Sequence, residues 1–415
     1  MMRRHTLLFL FLIGTLHGMS QSRERADQVY QWLLDLKGDS IIAIADSHFR
    51  SAVSAKQLTQ GFALVQFQYG RVQKADPWIA RNRESGEQSY TRRLLMNRHA
   101  AFLSVSFRGD SLSGLLIGQP QPVDDIPLAE NERPITVSTD GFNLPGRLTL
   151  PEGARRGKTP CVILVHGSGP GNMNETVGKC SPFLDLAEGL SRRGIAVIRF
   201  DKRSYVYSDA MAGEGRDVDY DTESVDDALA AIRLACSLPE VDRRRIFIVG
   251  HSLGGMLAPR IAQRSTRKLR GLVMLASPPM TLQAVMREQI ARLMQTDDSV
   301  RVDSALQVAL RTLPTSYLAM DSAYSVGLTA RSLRLPMLIL QGERDAQVTM
   351  DDYRRWDAFV ADRKRVIRKT YPRLNHLMME GEGAANIREY NTPAHIPDYL
   401  LDDIADFIMN VGRYK

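Results

Sequence analysis

Arg245-Ile246-Phe247-Ile248-Val249-Gly250-His251-Ser252-Leu253-Gly254-Gly255-Met256-Leu257-Ala258 is the stretch on which the reading of this chain turns. The run Arg245–Val249 is mostly apolar and β-branched and predicts a strand, and Met256-Leu257-Ala258 starts a helix. Between them, Gly250-His251-Ser252-Leu253-Gly254 fits the pattern G-x-S-x-G. In that setting the serine sits on a sharp strand-to-helix turn. The flanking glycines are required because a Cβ there would collide with the neighbouring strand or helix. The turn pushes the Ser252 hydroxyl into solvent, near the positive end of the following helix.

Outward from this stretch the rhythm is strand, loop, helix. Short apolar runs at Cys161–Val165, Ile195–Phe200, Ile246–Val249, Leu272–Ala276 and Met337–Leu340 read as strands buried on both faces. A weaker strand follows at Arg365–Thr370. Helical patterns lie at Pro182–Arg192, Asp221–Cys236, Leu253–Arg264, Asp351–Val360 and Ile396–Met409. Ile135–Thr139 and Leu144–Leu150 read as a hairpin around Asp140-Gly141. The alternation predicts an α/β fold: a mostly parallel sheet with helices on both faces. One connection, about 279–334, is long and helical with no clear strand, and reads as an inserted lid.

Three further motifs sit where such a sheet would end its strands. Val162–Val165 runs into His166-Gly167-Ser168-Gly169-Pro170-Gly171, a loop whose backbone can offer an N–H to a developing oxyanion. Ser168 is the candidate donor there, and Leu253, next to the serine, supplies the other. The loop lacks the Gly-Lys-Ser/Thr of a phosphate loop and the third glycine of a dinucleotide fingerprint. Pro336–Leu340 leads into Gln341-Gly342-Glu343-Arg344-Asp345, two acids after a strand. Asp345 is the candidate that accepts from a histidine ring, with Glu343 as fallback. Tyr371-Pro372-Arg373-Leu374-Asn375-His376-Leu377 supplies the base, His376; His395 lies between prolines, away from any strand end. His166 and His251 lie inside the loop and serine motifs and read as packing or hydrogen-bonding residues.

The order Ser252, Asp345, His376 is the one found in α/β-hydrolases. From about Arg133 to the end the chain resembles that superfamily. The segments His166–Pro170 with Asn174-Glu175-Thr176, Arg199-Phe200-Asp201-Lys202-Arg203, Gln341–Asp345 and Leu374–Leu377 are similar to serine-aminopeptidase-like and dienelactone-hydrolase-like carboxylesterases. The resemblance implies a serine hydrolase cleaving small or medium carboxylic esters through an acyl-enzyme, with no metal or organic cofactor. Alternatives are a short-peptide exopeptidase, which needs an acid for the substrate ammonium (Glu288, Asp297, Asp298 and Asp321 are candidates), a thioesterase or acyltransferase, or a binding protein that has lost catalysis. Met280, Leu282, Val285, Met286, Ile290, Leu293, Met294 and Leu313–Met320 of the lid read either as walls of an acyl pocket or as plain lid core.

The remaining chain sets the context. Arg3, Arg4 and His5 precede the apolar run Leu7–Leu16, and Gly18-Met19-Ser20 offers a cleavage site, so residues 1–20 read as a signal peptide and the protein as periplasmic or secreted. That apolar run is too short to span a membrane, so stable insertion is not expected. Residues 21–118 read as a small α+β domain, 119–132 as a linker with prolines at 120, 122 and 127, and 133–415 as the catalytic domain. In the small domain, helices are expected at Glu24–Lys37 and Ile41–His48, and strands at Phe62–Tyr69, Arg92–Met96 and Ala101–Phe107. It resembles an uncharacterised domain that often precedes such hydrolases in exported bacterial proteins. His48 and His99 read as ordinary histidines. The formal net charge of +7 falls to +5 once Arg3 and Arg4 leave with the signal, and basic knots such as Arg243-Arg244-Arg245 read as solvated loops, so no nucleic-acid partner is expected. Cys161, Cys180 and Cys236 form no zinc pattern; a Cys180–Cys236 bridge is compatible with export.

Overall fold

The computed structural model describes residues 23–413 apart from 70, 71, 73, 83–86, 97, 98, 119, 120, 123–127, 140, 208–217, 312, 384 and 385. The expected signal peptide lies outside the described residues, as does most of the proline-rich stretch 119–127. The chain divides into two compact units, Met1–Pro127 and Leu128–Lys415. Among the described residues no helix is long and apolar enough to cross a membrane.

The first unit opens with a helix over residues 23–34, then short helices Gly38–Ala43 and Ser47–Ala52 and a longer one, Ala55–Tyr69. An antiparallel sheet follows: β1 (Lys74–Ala75), β2 (Ile79–Asn82), β3 (Glu87–Met96), β4 (His99–Arg108), β5 (Ser111–Ile117) and β6 (Gln121–Pro122). Strand alternation decides its core: Leu103, Val105 and Phe107 of β4 are buried with Val29 and Leu33 of the first helix. Two expectations are corrected. Phe62–Tyr69 is helix, not strand, because Leu58 and Phe62, four residues apart, both pack on that core, whereas Leu64 faces solvent at 61% exposure. The single helix expected over Ile41–His48 breaks at Ala45, which bridges to Leu112 of β5; Asp46 then caps a new helix by accepting from the Phe49 N–H at 2.8 Å. Gln121–Pro122, inside the stretch expected as linker, pairs with β4.

The second unit is built on eight strands: β7 (Glu132–Thr139), β8 (Phe142–Thr149), β9 (Thr159–Val165), β10 (Ala196–Phe200), β11 (Val241–His251), β12 (Gly271–Leu275), β13 (Met337–Gly342) and β14 (Val366–Tyr371). Their order is β14-β13-β12-β11-β9-β10-β8-β7, parallel except at β8, which runs antiparallel to both its neighbours. Strands β9, β10, β12 and β13 are buried along their whole length, as their unbroken apolar runs require. Helices Pro182–Ser191 and Asp398–Asn410 share one core with the sheet, and helices Asp226–Ser237 and Leu253–Arg264 pack on its central strands. Between β12 and β13 the interval expected as a lid carries four helices: Leu282–Met294, Ser299–Leu310, Thr315–Ala323 and Val326–Ser332. The chain leaves β9 for β10 on one side and returns to β11 on the other. Adjacent connections therefore diverge at the C-terminal ends of β9 and β11, which opens a crevice there.

All three cysteines are thiols. The Cys180–Cys236 bridge is not formed, because Cys180 Sγ is turned toward the Thr392 carbonyl at 3.4 Å. Cys161 is buried in β9, and burial raises its thiol pKa.

One buried charge ties the edge of the sheet together. Arg199 of β10 is fully buried and donates to Glu132 Oε1 (2.6 Å), Thr149 Oγ1 (2.8 Å) and Asn174 Oδ1 (2.9 Å), joining β7, β8 and the loop after β9. Removing one member of a buried pair leaves the other charge unmatched, at about 3–5 kcal/mol. Arg147 still reaches Glu132 at 3.0 Å, so Arg199→Met is expected to cost about 3 kcal/mol. Urea unfolding of the full chain measures this; a loss under about 1 kcal/mol would contradict the assignment.

Candidate active site

At the end of β11 the backbone turns into helix Leu253–Arg264 through Ser252, which has φ 51° and ψ −117°. This region is costly for a residue with a Cβ, on the order of 1–3 kcal/mol. Neighbours on both sides hold it. The Ser252 N–H donates to the Leu275 carbonyl of β12 at 2.9 Å, and the Ser252 carbonyl accepts from the Met256 N–H at 3.0 Å. The glycines are required by space: a Cβ on Gly250 would lie 2.2 Å from the Gly254 carbonyl oxygen, and one on Gly254 would lie 2.1 Å from that of Val165.

Asp345 and His376 come from the loops after β13 and β14. Asp345 is buried and accepts from the Gln347 N–H (2.8 Å), the Val348 N–H (2.9 Å) and Gln341 Nε2 (3.1 Å). Its Oδ2 lies 2.8 Å from His376 Nδ1. A carboxylate at Nδ1 assigns the ring proton to that nitrogen and leaves Nε2 as a free base. The Asn375 side chain shapes the histidine loop by accepting from the Leu377 and Met379 N–H groups. Glu343 is exposed and accepts from the Thr370 hydroxyl, away from His376. His395 is exposed as well; it pairs with Asp185 at 2.9 Å and lines a separate cavity of about 540 Å³.

The glycine-rich loop after β9 is held from beneath by buried charges. Glu175 Oε1 accepts from the Gly167 N–H at 2.6 Å. Lys202 Nζ donates to the Gly167 and Gly169 carbonyls, at 3.0 Å each, and pairs with Glu223 at 3.2 Å. With the Gly167 N–H occupied, the next donor along the loop is the Ser168 N–H. It and the Leu253 N–H carry no hydrogen bond among the described residues. Glu175, Lys202, Gln341 and Gln347 received no role from sequence. They act through contacts 8 to 35 positions apart, or within one loop, that no local pattern announces.

Ser252, His376, Ser168, Gly167, His251, Glu175, Gln347, Leu377 and Tyr390 line one cleft of about 230 Å³. The Ser252 hydroxyl makes no hydrogen bond among the described residues. None of the described lid residues between 279 and 334 lines the cleft, so of the two readings of Met280, Leu282, Val285, Met286, Ile290, Leu293, Met294 and Leu313–Met320, the one as its walls is corrected. Leu293 is 84% exposed, and Gln289 and Arg292 of the lid donate to the Gln347 carbonyl at the site's edge.

Residues 162–389 match the model of the alpha/beta hydrolase family. The chain is 34% identical over 303 residues to esterase EstD of Thermotoga maritima, an alignment covering 70% of each chain. Among solved structures it is similar to Est1E from Butyrivibrio proteoclasticus, at 20% identity and a TM-score of 0.45, over 67% of this chain and 98% of that one. It is also similar to a Mycobacterium tuberculosis puromycin-hydrolyzing peptidase, at 17% identity and a TM-score of 0.49, over 80% of this chain and 53% of that one.

His166, at the base of the loop, is buried against Phe183 with its Nε2 2.8 Å from the Asn172 carbonyl. Burial, against the pull of Glu175, lowers its pKa to about 4. It is therefore neutral, with the proton on Nε2. An NMR titration is expected to show one histidine in that tautomer with no change above about pH 5. Titration of every histidine near pH 6.5 would contradict this.

Proposed function

The chain belongs to the alpha/beta hydrolase family, and we propose that it is a serine hydrolase that cleaves carboxylic esters with Ser252 as nucleophile, His376 as base and Asp345 as the group that orients the base. The observation that carries the reading is the buried Asp345–His376 pair, 2.8 Å apart, opening on the same cleft as Ser252. His376 Nε2 takes the Ser252 proton as the oxygen attacks the carbonyl carbon. The Ser168 and Leu253 N–H groups hold the oxyanion. His376 then returns the proton to the leaving alcohol, and an acyl-enzyme remains. Water, deprotonated by the same imidazole, releases the acid. The steps use side chains, backbone amides and water.

Two observations favour an ester over an N-terminal peptide bond. The relative at 34% identity is an esterase. Binding a substrate ammonium also requires a carboxylate in the cleft, and the four acids considered for this do not line it. Asp321 is buried, accepting from the Leu282 and Gln283 N–H groups and the Tyr220 hydroxyl. Glu288 is paired with Arg355. The carboxylate that does line the cleft, Glu175, is engaged by Gly167 and His251. Residues 1–20 support an exported enzyme, periplasmic or secreted.

Ser252→Ala is expected to abolish hydrolysis of p-nitrophenyl acyl esters while the protein stays folded. Asp345→Asn is expected to lower kcat by about 10³- to 10⁴-fold, through the wrong histidine tautomer. Retained turnover in the serine variant would remove the assignment. A series of p-nitrophenyl esters set against aminoacyl-nitroanilides tests the bond type, and preference for the anilides would replace ester with peptide.

A further inference from the structure

Beneath Ser252 lies a second carboxylate–imidazole pair, for which the proposed chemistry has no use. Glu175 and His251 are both buried, at 7% and 5% exposure. Glu175 has φ 51°, a backbone conformation few side chains adopt, and its N–H donates to the Asn172 carbonyl at 2.9 Å. Its Oε1 holds the Gly167 N–H. Its Oε2 lies 3.1 Å from His251 Nδ1, an ion-pair distance without hydrogen-bond alignment. On the other edge of the ring, His251 Nε2 lies 2.9 Å from the His376 carbonyl oxygen.

The chemistry of these contacts favours a charged ring. His251 faces an acceptor at each nitrogen, a carboxylate on one side and a carbonyl on the other. A carbonyl cannot donate, and neither can an ionised carboxylate. A neutral imidazole would set a lone pair against one of them; the imidazolium donates to the carbonyl at Nε2 and attracts the carboxylate 3.1 Å from Nδ1. Burial opposes a charge on either residue, and their mutual attraction outweighs it, holding Glu175 below the usual glutamate range and His251 above the usual histidine range. His251 is also faced by the His376 ring, with centroids 4.8 Å apart, and feels Asp345. Glu175 is faced by His166 as well, which in turn feels Lys202.

We propose that Glu175 and His251 are positioning residues for ester hydrolysis: they tie the loop bearing the Ser168 N–H to the segment bearing His376, so that oxyanion donor and base keep one separation across Ser252. This rests on the serine-hydrolase reading above. It carries a pH signature. Because Glu175 is lowered, the tie persists as pH falls into the ordinary glutamate range and is lost only below it. Because His251 is raised, the tie persists through the ordinary histidine range and is lost as pH rises through the raised value.

The test is steady-state hydrolysis of p-nitrophenyl acetate across pH by the full chain, its Ser252→Ala variant, Glu175→Leu and Glu175→Gln. Leucine keeps the volume and removes both contacts; kcat is expected to fall about 10- to 100-fold, with KM changed less than about threefold. Glutamine still accepts from Gly167, and its amide donates to a neutral His251. It is expected to recover about tenfold of that loss and to abolish the alkaline limb that His251 sets in the parent. A kcat in Glu175→Leu within about threefold of the parent would overturn the proposal, as would equal kcat in the two variants. Where the leucine variant does not fold, the glutamine profile decides, and an unchanged alkaline limb overturns it. Turnover in Ser252→Ala would sink the hydrolase reading itself, whereas serine-dependent turnover indifferent to Glu175 would sink the pair alone.

Discussion

The backbone of the loop after β9 lies against Gly254 so closely that an added Cβ would sit 2.1 Å from the Val165 carbonyl oxygen and 2.6 Å from that of His166. This contact sets the site. It lets the turn after β11 nest under the turn after β9, on adjacent parallel strands whose connections diverge. With no side chain to separate them, the Ser252 hydroxyl and the Ser168 backbone line the same cleft. The unfavourable φ of Ser252 follows from the same nesting. The N–H bond to Leu275 and the helix behind the turn hold the backbone in place.

Loops and turns at strand ends carry the groups of the site, and buried charges hold those loops. Lys202 clamps two carbonyls of the glycine-rich loop, Glu175 clamps one N–H, and Asp345 takes two backbone N–H groups besides the His376 ring. Hydrogen bonds to charged groups contribute about 1.5–3 kcal/mol each, and a buried charge left unmatched costs more than that. Each clamp therefore disfavours movement of its loop. On the proposed mechanism, the donors and base would then be in place before charge develops on the substrate.

Much of this was legible in the chain. The buried strands announce themselves as unbroken apolar runs, and β13 was expected over Met337–Leu340 and observed over Met337–Gly342. Helix Leu253–Arg264 starts and ends where its pattern does. Ser252, Asp345 and His376 were singled out because each follows a strand, and the fold gathers such positions at one edge. Asp345 was preferred over Glu343 in the sequence; in the fold it is Asp345 that is buried, takes two backbone N–H groups and lies 2.8 Å from His376 Nδ1. What was hidden is non-local. Phe62–Tyr69 carries a run of apolar residues that suits strand or helix until the core behind it is known. None of the described apolar lid residues lines the cleft, and Leu293 faces solvent, a question of docking that periodicity does not address. Glu175 entered only within a segment similar to the family, and its partner His251 as a packing or hydrogen-bonding residue of the serine motif, so their pairing was not legible.

Exposure of the enzyme to a fluorophosphonate, followed by intact-mass measurement and peptide mapping, asks directly whether the strained serine is an activated nucleophile. One adduct per chain, located on Ser252 and formed with loss of esterase activity, is the result predicted here. An unmodified Ser252 in a folded, esterolytic protein, or an adduct on any other side chain, would contradict it.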